Sequence, residues 1–180
     1  MENLVKFKME KLKPNLLGKQ WVLKDEHGHE IYHIDKQLFR MKDCLGGSFL
    51  KVVYDSMNQP VFQIKREASY NRHAGKCTIL SPDDVVMGYI EVKLGYLGSS
   101  CCIQNAETTT LLHVKKPSFS QFGKKMTYKI RKNNGKKIGK IIRKYKDVRS
   151  NKFEIEFPID LDVNVKCAIL AVALNFNKYP

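Results

Sequence analysis

FEIEFPIDLDVNVKCAILAVAL, residues 153–174, is the stretch on which the fold turns. Its first half alternates apolar and acidic residues, and its second half is the most apolar run in the chain. Two readings compete: a calcium loop followed by a membrane anchor, or a strand followed by a buried helix. The uninterrupted apolar run, residues 167–174, is eight residues long, whereas a bilayer-spanning helix needs about 20. Asn175, Asn177, Lys178 and Pro180 follow it directly. Residues 163–174 therefore read as a plugging helix, with Val163, Val165, Ala168, Ile169 and Val172 as its apolar body. A helix apolar all round has to be enclosed.

The preceding sequence supplies an enclosure. Pairs of β-rich stretches flank polar turns: WVLKDEHGHEIYHI turns at residues 26–29, FLKVVYDSMNQPVFQIKR at 55–60, CTILSPDDVVMGYIEVKL at 81–84 and SSCCIQNAETTTLLHVKK at 105–108. MTYKIRKNNGKKIGKIIRKY turns at Asn133-Asn134-Gly135, the strongest turn signal of the five. Together with FEIEFPIDLDV they predict about ten to twelve strands, a number that closes into a barrel or splits into a sandwich. A wide barrel needs a filled bore, and the terminal helix is the segment able to fill it. The expected organisation is a short extension over residues 1–19 and one barrel domain over 20–180 of the 180-residue chain.

Five cysteines, at 44, 77, 101, 102 and 167, form no C-x-x-C pair. They read as small hydrophobes in a reducing, intracellular compartment rather than as a disulfide framework. The N-terminus interleaves Lys with single apolar residues and lacks the apolar core of a secretory signal. Charge is concentrated in one place. Residues 115–152 hold fifteen Lys or Arg and a single acid, Asp147, which accounts for the whole net charge of +14. A surplus so localised implies an anionic partner, either lipid headgroups or nucleic-acid phosphates. Within it, Lys136, Lys137, Lys140, Arg143, Lys144 and Lys146 stand on the hairpin KKIGKIIRKYK as the candidate phosphate-binding set. No zinc spacing, recognition-helix pattern or RNA-binding motif accompanies them. Phosphate-loop, dinucleotide and hydrolase motifs are likewise missing from the sequence, so the reading is of a protein without covalent chemistry. His27, His29 and His33 lie together in the first hairpin, but the Cys or carboxylate spacing of a metal site does not accompany them.

At this point the sequence resembles a known family. FEIEFPIDLDVNVKCAIL closely resembles the C-terminal signature of the phospholipid scramblases, an F-x-I-x-F-P-x-D-L-D-V core leading into a hydrophobic helix. WVLKDEHGHEIY is similar to the family's first hairpin and residues 50–66 to its second. Gly88-Tyr89-Ile90, Ile103-Gln104-Asn105 and Ile138-Gly139-Lys140-Ile141 match further short motifs in order. The resemblance implies a tubby-like fold, a closed antiparallel barrel of about 12 strands around a central C-terminal hydrophobic helix. It also implies a peripheral membrane protein at the cytoplasmic face that moves phospholipids between leaflets with calcium as cofactor. Some members also enter the nucleus, so a nucleic-acid partner or a phosphoinositide-binding module without scrambling are the alternatives. The family's calcium loop ends at the position of Asp160, and its donors here are Asn151, Glu154, Glu156 and Asp160. Its opening position holds Arg149 instead of an acid, which works against calcium. The family's acylated cysteine cluster is reduced to Cys77, the candidate acylation site.

Overall fold

The computed structural model describes residues 4–12, 19–35, 49–66, 75–95, 98–115, 125–145 and 151–175. Twelve strands precede one helix: β1 (Leu4–Lys11), β2 (Lys19–Lys24), β3 (Glu30–Asp35), β4 (Phe49–Asp55), β5 (Pro60–Arg66), β6 (Gly75–Leu80), β7 (Val86–Gly95), β8 (Gly98–Gln104), β9 (Thr110–Lys115), β10 (Lys125–Lys132), β11 (Lys137–Tyr145), β12 (Asn151–Pro158) and α1 (Val163–Asn175). Each strand pairs with its sequence neighbour, and β1 pairs with β12, so the antiparallel sheet closes into a barrel with no free edge. The stretch expected to be an extension thus contains the closing strand. LVKFKMEK alternates at period two: Phe7 and Met9 face the core, and Lys6, Lys8 and Glu10 lie on the other face.

Alternation fixes the inside of the barrel everywhere else. Trp21, Leu23, Ile64, Ile79, Ile90, Ile103, Tyr128, Ile141, Phe153, Ile155 and Phe157 are all buried in one cluster with α1 at its centre. α1 is 13 residues long, about 20 Å at 1.5 Å per residue, which matches the height of strands six to ten residues long. Asp162 caps it, its Oδ1 accepting the Asn164 N–H at 2.8 Å and its backbone carbonyl accepting the Lys166 N–H at 3.0 Å. From Val165 onward the helix is buried on all sides, apart from half-buried Lys166, whose Nζ donates to the Ile159 carbonyl at 2.6 Å. Val165, Ala168, Ile169 and Val172 fill the bore as expected. Val163 does not: as the first helical residue it stands at the mouth and is 63% exposed.

Five hairpin turns at one end share a single construction. The N–H of the first residue donates to the carbonyl of the fifth: Asp25 to His29, Asp55 to Gln59, Ser81 to Val85, Asn105 to Thr109 and Lys132 to Lys136, all at 2.8–3.0 Å. The fourth residue is left-handed in each: Gly28, Asn58, Asp84, Thr108 and Gly135. This is the three-residue loop closed by a β-bulge, and the ladder shifts register beside every one of them. In four turns the first side chain accepts backbone N–H groups, as Asp55 Oδ1 does from Met57 and Gln59 at 2.8 and 2.9 Å. The β10–β11 turn begins with Lys132 and cannot do so. There Asn134 Oδ1 accepts from Lys136 N–H at 3.0 Å, Arg131 Nη1 donates to the Gly135 carbonyl at 2.6 Å, and Asn133 Nδ2 reaches the Thr110 carbonyl at 2.5 Å. The rebuilt turn has exchanged a polar or acidic cap for a cation.

Candidate functional site

The basic hairpin is β10, the turn just described, and β11. Neither strand contains an acid, nor do β8 and β9 on the side away from β12. The barrel divides five of the six candidate cations among three settings. Lys136 and Lys137 are exposed at the turn. Lys140 and Lys144 lie on the outer wall and meet β12: Lys140 Nζ is 3.0 Å from Glu156, and Lys144 pairs with Glu154. Arg143, one residue out of phase with them, turns inward, buried with its guanidinium 5.8 Å from the Phe153 ring centroid. Lys146 lies outside the described residues, as does Arg149.

Register adds cations that sequence alone did not single out. Lys140 faces Lys129 of β10, which faces Lys115 of β9, giving a transverse row of three lysines. Four residues along the strands, beyond the row Thr127–Ile142–Glu154, Lys125 faces Lys144, which faces Lys152. Lys115, Lys125 and Lys129 are all exposed. The alternation LHVK in β9 and KMTYK in β10 marks these lysines as outward. Only the cross-strand pairing shows that they are neighbours.

The proposed calcium donors stand differently. Glu154 and Glu156 are outward positions of β12, alternating with buried Phe153, Ile155 and Phe157, and each carboxylate is held by a lysine. Asn151 opens the strand and Asp160 lies in the turn beyond it. An extended strand rises about 3.3 Å per residue, so the seven steps of β12 alone spread its ends by more than 20 Å. Such donors do not converge on one ion. Among the described residues no group of three His, Cys, Asp or Glu is placed to hold a metal. The three histidines form no single group: His27 and His29 lie together at the exposed turn with ring centroids 6.1 Å apart, near Glu26 and Asp25 respectively, whereas His33 is buried against Tyr54 with ring centroids 5.5 Å apart.

Cys77 is not placed for acylation. It is an inward residue of β6, 2% exposed, with Asn175 Nδ2 3.5 Å from its sulfur. Cys101 and Cys167 are also buried free thiols. Burial pushes the Cys101 thiol up to about 12, helped by the neighbouring Cys77 and Cys102, and burial with nearby Asp162 does the same to Cys167. These are packing residues. A second cationic region, an open groove of about 670 Å³ on the outer wall of β4–β7, includes Lys65, Lys76, Tyr89 and Asp84. Lys76 Nζ sits 3.7 Å over the Tyr89 ring and faces Glu91 across the ladder, so acids accompany its charges.

On β1, β12 and β11 the outer wall is charged, where a membrane-spanning barrel turns an apolar band outward. Lys6, Glu156 and Lys140 stand side by side on adjacent strands of the wall, with Lys8 and Glu154 one step further along. No helix among the described residues is long and apolar enough to cross a membrane. A family model described as Scramblase matches residues 15–178. The crystal structure of an Arabidopsis thaliana protein matches with TM-score 0.54 at 11% identity, covering 96% of this chain and 91% of that one. That likeness concerns the fold, which is tubby-like. No curated protein matches the sequence.

Proposed function

Because the chain belongs to the scramblase family, we propose that it works on phospholipids at a membrane surface, docking peripherally on the anionic cytoplasmic leaflet through the basic β10–β11 hairpin. The observation that carries this reading is the acid-free run of β9, β10 and β11, with Lys136 and Lys137 presented at its exposed turn. Each Lys or Arg near an anionic leaflet is worth about 1 kcal/mol, so a handful suffices for reversible binding. The attraction falls off over a Debye length of about 8 Å at physiological salt, which requires the hairpin to lie close to the headgroups.

Movement of lipid between leaflets is the activity that family membership suggests. The bore offers it no route, since α1 and the inward side chains fill it as one packed cluster. Transfer therefore runs along the outer wall or through locally disturbed bilayer. Purified protein is expected to float with phosphatidylserine-containing vesicles, to be released by salt, and to do both without calcium. Dithionite-accessible exchange of labelled lipid tests transfer itself. Binding without exchange assigns a lipid-binding module, and absence of both rejects the proposal.

A further inference from the structure

We infer that the barrel lies on its side against the leaflet, with the outer wall of β9–β11 as the contact face and Lys115, Lys125 and Lys129 as its principal cations. The inference rests on the anionic-lipid reading above and specifies the face and orientation that such binding takes.

Charge placement argues for this face in three ways. First, lysines directly opposite one another in an antiparallel ladder have Cβ atoms about 5 Å apart and repel. The row Lys115–Lys129–Lys140 places two such pairs side by side, and Lys125–Lys144–Lys152 places two more. Glu156, Glu154 and Glu10 offset Lys140, Lys144 and Lys152, but among the described residues no ion pair on β12 or β1 reaches the β9 and β10 members. Lys115 and Lys129 have no acid on their own strands or, on the far side, on β8. An array of like charges held by main-chain register concentrates positive potential over one patch of wall, which a sheet of mobile anionic headgroups relieves. Second, apart from the β10–β11 turn, the end of the barrel that carries the hairpin turns is acidic: Glu26, Asp55, Asp83, Glu107, Asp160 and Asp162 ring it. Docking end-on by the turns would bring those carboxylates against lipid phosphates. Third, single-stranded nucleic acid binds such walls by stacking bases on exposed aromatic rings as well as by charge. The described outward residues of β9–β11 are lysines with His113, Thr127, Arg131 and Ile142, and His113 is engaged by Cys102 Sγ at 3.4 Å. Charge without stacking disfavours a single strand as the occupant, and duplex DNA is left to the test below.

The test is partition onto phosphatidylcholine vesicles with and without 30% phosphatidylserine. The variant K115Q/K125Q/K129Q is expected to bind the anionic vesicles roughly 100-fold more weakly, at about fivefold per lysine. K115R/K125R/K129R keeps binding, and the groove variant K65Q/K76Q stays within about twofold of wild type. A separate readout guards against misfolding. Lys129→Glu relieves repulsion from both neighbours, so its melting temperature rises by about 2–4 °C while its vesicle binding falls. Retained binding in the triple glutamine variant, or an equal loss in the groove variant, overturns the face while leaving anionic-lipid binding intact. Wild-type protein that ignores anionic vesicles overturns the underlying reading as well. Tighter binding to duplex DNA than to vesicles at equal ionic strength overturns the partner.

Discussion

Thr108 holds a φ of +65°, in the left-handed region that a β-branched residue adopts only under strain. It does so because the bulged turn requires that conformation at its fourth position, which Gly28 and Gly135 occupy without penalty in two sister turns. Thr108→Gly is expected to stabilise the protein by about 1 kcal/mol, seen as a higher urea midpoint with unchanged slope. Gly139 is the opposite case. A Cβ there would sit 2.3 Å from the Glu156 carbonyl oxygen, so the β11 and β12 backbones would have to separate. Gly139→Ala is expected to cost about 1–3 kcal/mol by the same measurement. The glycine turns were legible as E-H-G-H and N-N-G. The turns at Asn58, Asp84 and Thr108 were located but not their shared geometry, because a bulge is a property of two strands and a sequence shows one.

At the level of elements, FEIEFP announced itself as a strand, and residues 163–174 as a buried helix, because period and length are local properties. What the local pattern withheld was partnership. Glu154 and Glu156 alternate as an outward face should, but only register brings Lys144 and Lys140 to them. The same gap split the basic set, since Arg143 falls on the inward phase of β11 while its neighbours fall outward. β1 was missed for a related reason: its outward lysines make a closing strand look like a charged tail until β12 is placed beside it. Removal of residues 1–11 takes away the partner of both β12 and β2 and bares two strand edges. Such a truncation is expected to aggregate and to lose its near-ultraviolet dichroism, whereas a dispensable extension would leave both unchanged.

Over the whole molecule, two deeply buried thiols tie stability to alkaline pH. Burial raises Cys101 and Cys167 to about 12 from an ordinary value of 9.0. Their contribution is complete below pH 9 and is lost as pH climbs toward 12, because only the unfolded chain ionises them readily. Stability is expected to fall above pH 9, by about 1.4 kcal/mol per thiol per pH unit and seen as a lower melting temperature, and C101A/C167A to flatten that slope despite a lower baseline. The closure of β1 on β12 carries a different consequence. Glu10 and Lys152, joined at 2.7 Å, are 142 residues apart in the chain, and the helix that fills the bore follows all twelve strands. On the ribosome, β1 therefore emerges with neither its β12 neighbour nor anything to pack its inner face against. Contacts this distant in sequence form slowly, on the order of milliseconds to seconds once the chain is free. Until then the nascent sheet presents apolar residues and open edges together, which makes this barrel a natural client of the chaperones that meet growing chains.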